Sequence, residues 1–159
     1  MLTNSALIDR EDVREELALA DFVVAKLDAP SQELLEMINQ PDISIRFENI
    51  IAGLKSFRKM YNKKLALQIM LIEQNKHEAD ALIELVNMIK PDEVQLNTPL
   101  RKCGIKPLSK KEILEIKSNF VSKCADKIHI VSVYDEVTHP ETTSISDADT
   151  LKRRGKTKL

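Results

Sequence analysis

Residues 64–73 read KLALQIMLIE, and the alternation within this stretch decides the fold. Leu65, Leu67, Ile69 and Leu71 are all large and apolar, whereas Ala66, Gln68, Met70 and Ile72 are mixed and include an amide. A strand sends these two sets to opposite faces. Two shorter segments share the design. In Phe22 to Asp28, Val23, Ala25 and Leu27 fall on one side and Val24, Lys26 and Asp28 on the other; in Glu93 to Asn97, Val94 and Leu96 oppose Gln95 and Asn97. Each segment has one uniformly apolar face and a second that turns polar towards its carboxyl end. Ligands meet the parallel strands of α/β proteins at those ends. Lys26, Asp28, Gln68, Gln95 and Asn97 are therefore the candidate site.

Between these strands the apolar period changes to that of helices. Arg46 to Tyr61 carries Phe47, Ile50, Ile51, Leu54, Phe57 and Tyr61 at three- and four-residue steps, the clearest amphipathic helix in the chain. A helix over His77 to Lys90 turns Ala81, Leu82, Leu85, Val86 and Ile89 inward and stops at Pro91. Ser31 caps a short helix through Ile38, and Ser109 with Glu112 three residues on forms a capping box for the helix SKKEILEIKSNF. A further helix starts near Asp9, with Val13, Leu17 and Ala20 as its buried stripe. Ahead of it LTNS reads as the end of a strand, and Ile128 to Tyr134 as a last strand. Strands separated by helices need right-handed crossovers, which build a parallel sheet. That order suits either an open doubly wound sheet or a partial (β/α) barrel with helices on the outside. Polar groups such as Lys26 and Gln68 on one face favour the barrel, because an open sheet would bury both faces.

With 159 residues the chain holds one core. The 24 basic and 25 acidic residues nearly cancel, so charge gives no reason to expect a nucleic-acid or acidic partner. No apolar run approaches the roughly 18 residues needed to cross a bilayer, and MLTNSALIDR lacks a basic segment followed by an apolar one. A cytoplasmic location is expected. Cys103 and Cys124 show neither ligand spacing nor a disulfide framework, and His77, His129 and His139 lie in unrelated contexts. The three glycines, Gly53, Gly104 and Gly155, are too few for a phosphate-cradling loop. From 134 to 159 large apolar residues thin out and the chain ends in LKRRGKTKL, which predicts a mobile tail behind a unit spanning 1–133.

Each site residue has a bland reading beside its sharp one. Lys26 and Asp28 form either an ion pair closing the strand end or a ligand contact, with Asp28 accepting from a hydroxyl pair and Lys26 meeting an anion. Gln68, amid LALQIML, needs partners in the core or in a ligand. Asn97 before Thr98-Pro99 also suits a plain turn. No nucleophile, base and orienting group stand out together.

Taken together, TNSALIDREDVREELALADFVVAKLDA, LQIMLIEQNKHEAD and PDEVQLNTPLRKCGIKPLSKKEI resemble the radical S-adenosylmethionine (radical SAM) superfamily, closest to the Fe–S oxidoreductase branch related to wyosine-synthesis enzymes. The resemblance implies the C-terminal half of a partial barrel whose strand ends hold S-adenosylmethionine through Asn4, Ser5, Lys26, Asp28, Gln68 and Asn97. It also implies a [4Fe–4S] cluster, yet the Cys-x3-Cys-x2-Cys loop that binds it in that family is absent from the sequence. The expectation is a truncated or split member, inactive in radical chemistry by itself. A separate N-terminal half, or another chain, would pair with the open barrel edge. A non-catalytic remnant or interaction module docking through that edge is the alternative. Contact with tRNA follows only by family analogy.

Overall fold

The computed structural model describes residues 1–101 and 103–135. Elements alternate as the sequence predicts: β1 (Leu2–Thr3), α1 (Glu11–Ala18), β2 (Phe22–Lys26), α2 (Gln32–Asn39), α3 (Phe47–Met60), β3 (Lys64–Met70), α4 (Ala79–Ile89), β4 (Glu93–Asn97), α5 (Lys110–Lys123) and β5 (His129–Ser132). The strands form one sheet in the order β1-β2-β3-β4-β5, and every neighbouring pair is parallel. That order chooses between the two architectures left open above. A right-handed crossover lays its helix on one face, and the face changes only where the strand order reverses. Here it never reverses, so the helices share one side. The fold is α/β, a partial (β/α) barrel with parallel strands covered by helices on the outside.

Burial follows the alternation in the sequence. Leu65, Leu67, Ile69 and Leu71 lie in one core with Val23, Ala25, Val94 and Leu96, beneath Leu54 and Phe57 of α3, Leu82 and Val86 of α4, and Ile113 and Phe120 of α5. Each Leu, Ile, Val or Phe among them contributes about 1.5–3 kcal/mol by leaving water. The opposite face is different: Val24, Lys26, Gln68, Met70, Gln95, Asn97 and Val131 are only half-buried. Among the described residues no helix covers them, and water or a ligand can reach this face.

Local chemistry sets most boundaries. Ser31 Oγ accepts from the Leu34 amide at 3.3 Å, and Ser109 and Glu112 complete the capping box. Several boundaries fall inside the sequence expectation: β2 ends at Lys26 and β3 at Met70, short of the Asp28 and Glu73 that the alternation reached. The helix expected near Asp9 starts at Glu11, because Asn4 to Arg10 is a turn with Ser5 left-handed at φ 65°. The helix expected from His77 starts at Ala79, after a turn closed by Asn75. The last strand stops at Ser132 because the Asp135 carboxylate takes both the Ser132 amide (2.9 Å) and its hydroxyl (2.8 Å). Gly53 of α3 sits so close to the β1–α1 turn that a Cβ there would lie 2.6 Å from Ile8 and Asp9 backbone atoms. Arg14 Nη1 donates to the carbonyls of Ile8 (3.0 Å) and Asp9 (2.5 Å), fixing the same turn from α1. His139, Gly155 and nearly all of the expected tail lie outside the described residues.

Candidate functional site

Asp28 lies just past the end of β2, almost wholly buried. Its Oδ1 accepts from the Met70 amide at 2.8 Å, and its Oδ2 accepts from Asn39 Nδ2 at 2.9 Å and pairs with Lys26 Nζ at 3.1 Å. All three partners belong to the chain, so the carboxylate is committed to joining β2, β3 and α2. The Lys26 side chain is 29% exposed, which leaves its ammonium able to reach a second partner.

A cavity of about 530 Å³ opens at the carboxyl ends of β1 and β2. Asn4, Lys26, Asp28 and Asn39 give it a polar rim, and Leu35 and Phe47 are among its apolar walls. This matches the general form of small-molecule sites, apolar with a few convergent polar groups. Asn4 is exposed, and its Oδ1 accepts from the Ala6 amide at 3.1 Å. Ser5, Gln68 and Asn97 do not line this cavity. Ser5 is buried, and its Oγ has no hydrogen-bond partner among the described residues.

On the uncovered face the register places Lys26, Gln68 and Gln95 in one row across β2, β3 and β4, with Asn97 beside Met70 one step further on. Gln68 Nε2 donates to Gln95 Oε1 at 3.2 Å, and Gln95 Nε2 donates to Glu93 Oε1 at 2.8 Å. Glu93 Oε2 in turn lies 2.8 Å from Lys64 Nζ. Burial pushes the Glu93 carboxyl up, but the hydrogen bonds from Lys64 and Gln95, with the Lys64 charge, outweigh it and hold the group below the ordinary carboxylate range.

Three residues of this region were not legible as site components. Asn39, Asn75 and Glu93 each act on partners brought in by the fold, so no local pattern marks them. Asn75 donates to the carbonyl of Asp28, 47 residues away, whereas in the sequence it only leads into the helix expected from His77.

The two thiols do not fit a four-iron cluster. Cys103 is exposed in the β4–α5 loop, while Cys124 is buried at the end of α5, where burial raises its thiol pKa and opposes the thiolate a metal requires. Among the described residues no group of three or more His, Cys, Asp and Glu side chains could hold a metal ion. Nor, among them, is any helix long and apolar enough to cross a membrane.

No protein-family model matches the chain. Among curated proteins it is 32% identical over 157 residues to "GTPase Obg" of Brachyspira hyodysenteriae, a match covering 95% of this chain and 23% of that protein. It is 38% identical over 111 residues to a UPF0026 protein of Synechocystis, covering 69% of this chain and 41% of the other. A UPF0026 protein of Methanocaldococcus jannaschii is 29% identical over 140 residues, covering 86% and 40%. The chain thus spans between about a quarter and two fifths of these relatives. Among solved structures, Streptococcus suis SuiB bound to S-adenosylmethionine superposes with a TM-score of 0.61 at 16% identity, covering 82% of this chain and 32% of SuiB. A radical SAM methyltransferase from Sphaerobacter thermophilus gives a TM-score of 0.60 at 16% identity, covering 82% and 38%. SuiB has also been solved with its precursor peptide SuiA. At this identity the likeness is one of backbone, and it shows that the five-stranded half-cylinder of this chain has the fold seen in these proteins, a radical SAM methyltransferase among them.

Proposed function

We propose that the uncovered face of the sheet and its carboxyl ends bind S-adenosylmethionine, with residues 1–133 acting as one segment of a radical SAM barrel. The observation that carries this reading is the row Lys26–Gln68–Gln95 on a face that no helix among the described residues covers, in a fold shared with SuiB, which has been solved with that molecule bound. The donor set suits the ligand. Gln68 and Asn97 offer amide groups beside a half-exposed Met70, and the Lys26 ammonium and the Asn4 amide stand at the mouth of the adjoining cavity. The buried Ser5 hydroxyl, just past the end of β1, has no partner among the described residues, as expected of a group awaiting a ligand or water. Asp28 acts here by positioning Lys26.

Bound S-adenosylmethionine supplies an activated sulfonium, and its reductive cleavage needs a cluster whose ligands this sequence does not contain. The role assigned to this chain is therefore binding and orientation. Placement in the Fe–S oxidoreductase branch related to wyosine synthesis, with its tRNA analogy and cytoplasmic setting, rests on the sequence resemblance.

Calorimetric titration of the 159-residue chain with S-adenosylmethionine is expected to give a Kd between about 10 μM and 1 mM. Gln68→Ala should weaken it by about tenfold with an unchanged far-UV spectrum. Absence of heat and of amide shifts at roughly 5 mM ligand, where even a millimolar site would be mostly filled, would overturn the reading.

A second reading has its own observation. The outer edge of β1 is unpaired among the described strands, and Leu2 and Leu7 beside it are exposed. Such an edge accepts a strand from another chain. Concentration-dependent self-association abolished by Leu2→Pro, which removes an N–H from the free side of β1, with no S-adenosylmethionine binding, would favour this module over the binding role.

A further inference from the structure

The carboxamides on the uncovered face form a chain with a direction. A carboxylate accepts hydrogen bonds and cannot donate one, so Gln95 must turn its NH2 towards Glu93 Oε1, 2.8 Å away. Its carbonyl oxygen then faces β3, where Gln68 must donate, at 3.2 Å. Turning either amide over would set two acceptors against each other. Lys64 Nζ, 2.8 Å from Glu93 Oε2, secures the ionised state at the start of the chain, while the His129 ring at 3.8 Å is largely exposed. The direction set on β4 thus passes to β3 and ends at Gln68 Oε1. That oxygen has no partner among the described residues and is not among their buried unsatisfied atoms, so it faces accessible space. Its neighbour on β2 does not claim it, because the Lys26 ammonium turns to Asp28.

We propose that Glu93 is a positioning residue which, through Gln95, fixes Gln68 with its carbonyl oxygen presented to the ligand, so that the site selects a hydroxyl or amino donor at this point. For the identity of the ligand this rests on the S-adenosylmethionine reading; for the direction of the amide chain it does not. Ordinary truncation logic would class Glu93 as a structural residue near the amino end of its strand, remote from any ligand. The geometry instead gives it an effect on which partner group the site accepts.

Two measurements on the full chain test this separately. In uniformly 13C/15N-labelled protein without ligand, correlations across the hydrogen bonds should run from Gln95 Nε2 to the Glu93 carboxyl carbon and from Gln68 Nε2 to the Gln95 amide carbon. A correlation in the reverse sense, or Gln68 NH2 protons exchanging like those of a free amide, would overturn the direction. In Glu93→Gln the acceptor-only end is removed, and the Gln68 carboxamide signals should double or broaden. The second measurement uses adenosine and 2′,3′-dideoxyadenosine as probes. The native chain is expected to favour the hydroxylated probe by about tenfold, and Glu93→Gln by only about twofold. Equal weakening of both probes in the variant, which a merely structural role would give, or an unchanged preference, would overturn the positioning role. If neither probe binds the native chain, the donor selection falls together with the nucleoside reading, while the amide direction stands or falls on the correlations.

Discussion

Asn75 Nδ2 donates to the carbonyls of Asp28 (2.8 Å) and Met70 (2.9 Å), and its Oδ1 accepts from the Ile72 amide at 2.8 Å. One fully buried side chain thus ties the ends of β2 and β3 together directly beneath the Lys26–Asp28 pair. Replacing it with Ala strands two carbonyls and an amide away from water, each costing about 1–3 kcal/mol when left unpaired. Some of that loss is recovered by relaxation and by water entering the space. Asn75→Ala is expected to lower stability by about 2–4 kcal/mol in urea unfolding without changing the slope. A loss under about 0.5 kcal/mol, the range of ordinary surface changes, would mean that these bonds do not hold the strand ends. The same residue shows a limit of sequence reading. The partners that make it matter lie at the ends of two different strands, 47 and 5 residues away, and its immediate neighbours do not point to them.

Among the elements, α5 offers the cleanest test of local chemistry. The Glu112 carboxyl accepts from the Ser109 hydroxyl (2.7 Å) and amide (2.9 Å) and from Lys76 Nζ (3.1 Å). These bonds, led by that from the Ser109 hydroxyl, lower its pKa from 4.5 to about 2. A carboxyl whose folded pKa is depressed adds stability that is present above the unfolded value and is lost as pH falls towards the folded one. The stability difference between the native chain and Glu112→Gln should therefore be constant above about pH 5.5 and shrink as the pH is lowered from 4.5 towards 2. Thermal unfolding at a series of pH values checks this, and a difference independent of pH would exclude ionisation of Glu112 as the source. This element was legible because its signal is contained within four residues: Ser109 and Glu112 satisfy each other's backbone groups whatever else the chain does. The starts of α1 and α4 were less legible. Ser5 takes a left-handed conformation, rare for a residue other than glycine, and Asn75 is held by the carbonyl of Asp28, 47 residues away, neither of which local propensity encodes.

Across the whole molecule, the sheet carries an order of protection. β3 is the central strand, paired on both sides by β2 and β4, with Leu65, Leu67 and Ile69 fully buried. β1 has two residues and, among the described strands, one neighbour. Amide hydrogen exchange should find the β3 amides opening only with global unfolding, and those of β1 exchanging orders of magnitude faster through local fraying. Equal protection of the two strands would show that the outer edge of β1 is covered in solution.

The sequence by itself determined the strands, their apolar faces and the parallel connection between them, since side-chain alternation and helix periodicity are properties of neighbours along the chain. It also placed Lys26, Asp28, Gln68 and Asn97 at strand ends, because position along a strand follows from counting. Only the tertiary structure decided that the strand order never reverses among the described residues, and with it that none of their helices covers the second face. Tertiary structure also decided which polar groups are already satisfied within the chain, as Asp28 is, and which find no partner among the described residues, as Gln68 Oε1 does. The reason is physical: a hydrogen-bond partner is chosen by proximity in space, and Met70, Asn39 and Gln95 come near only once the sheet has closed.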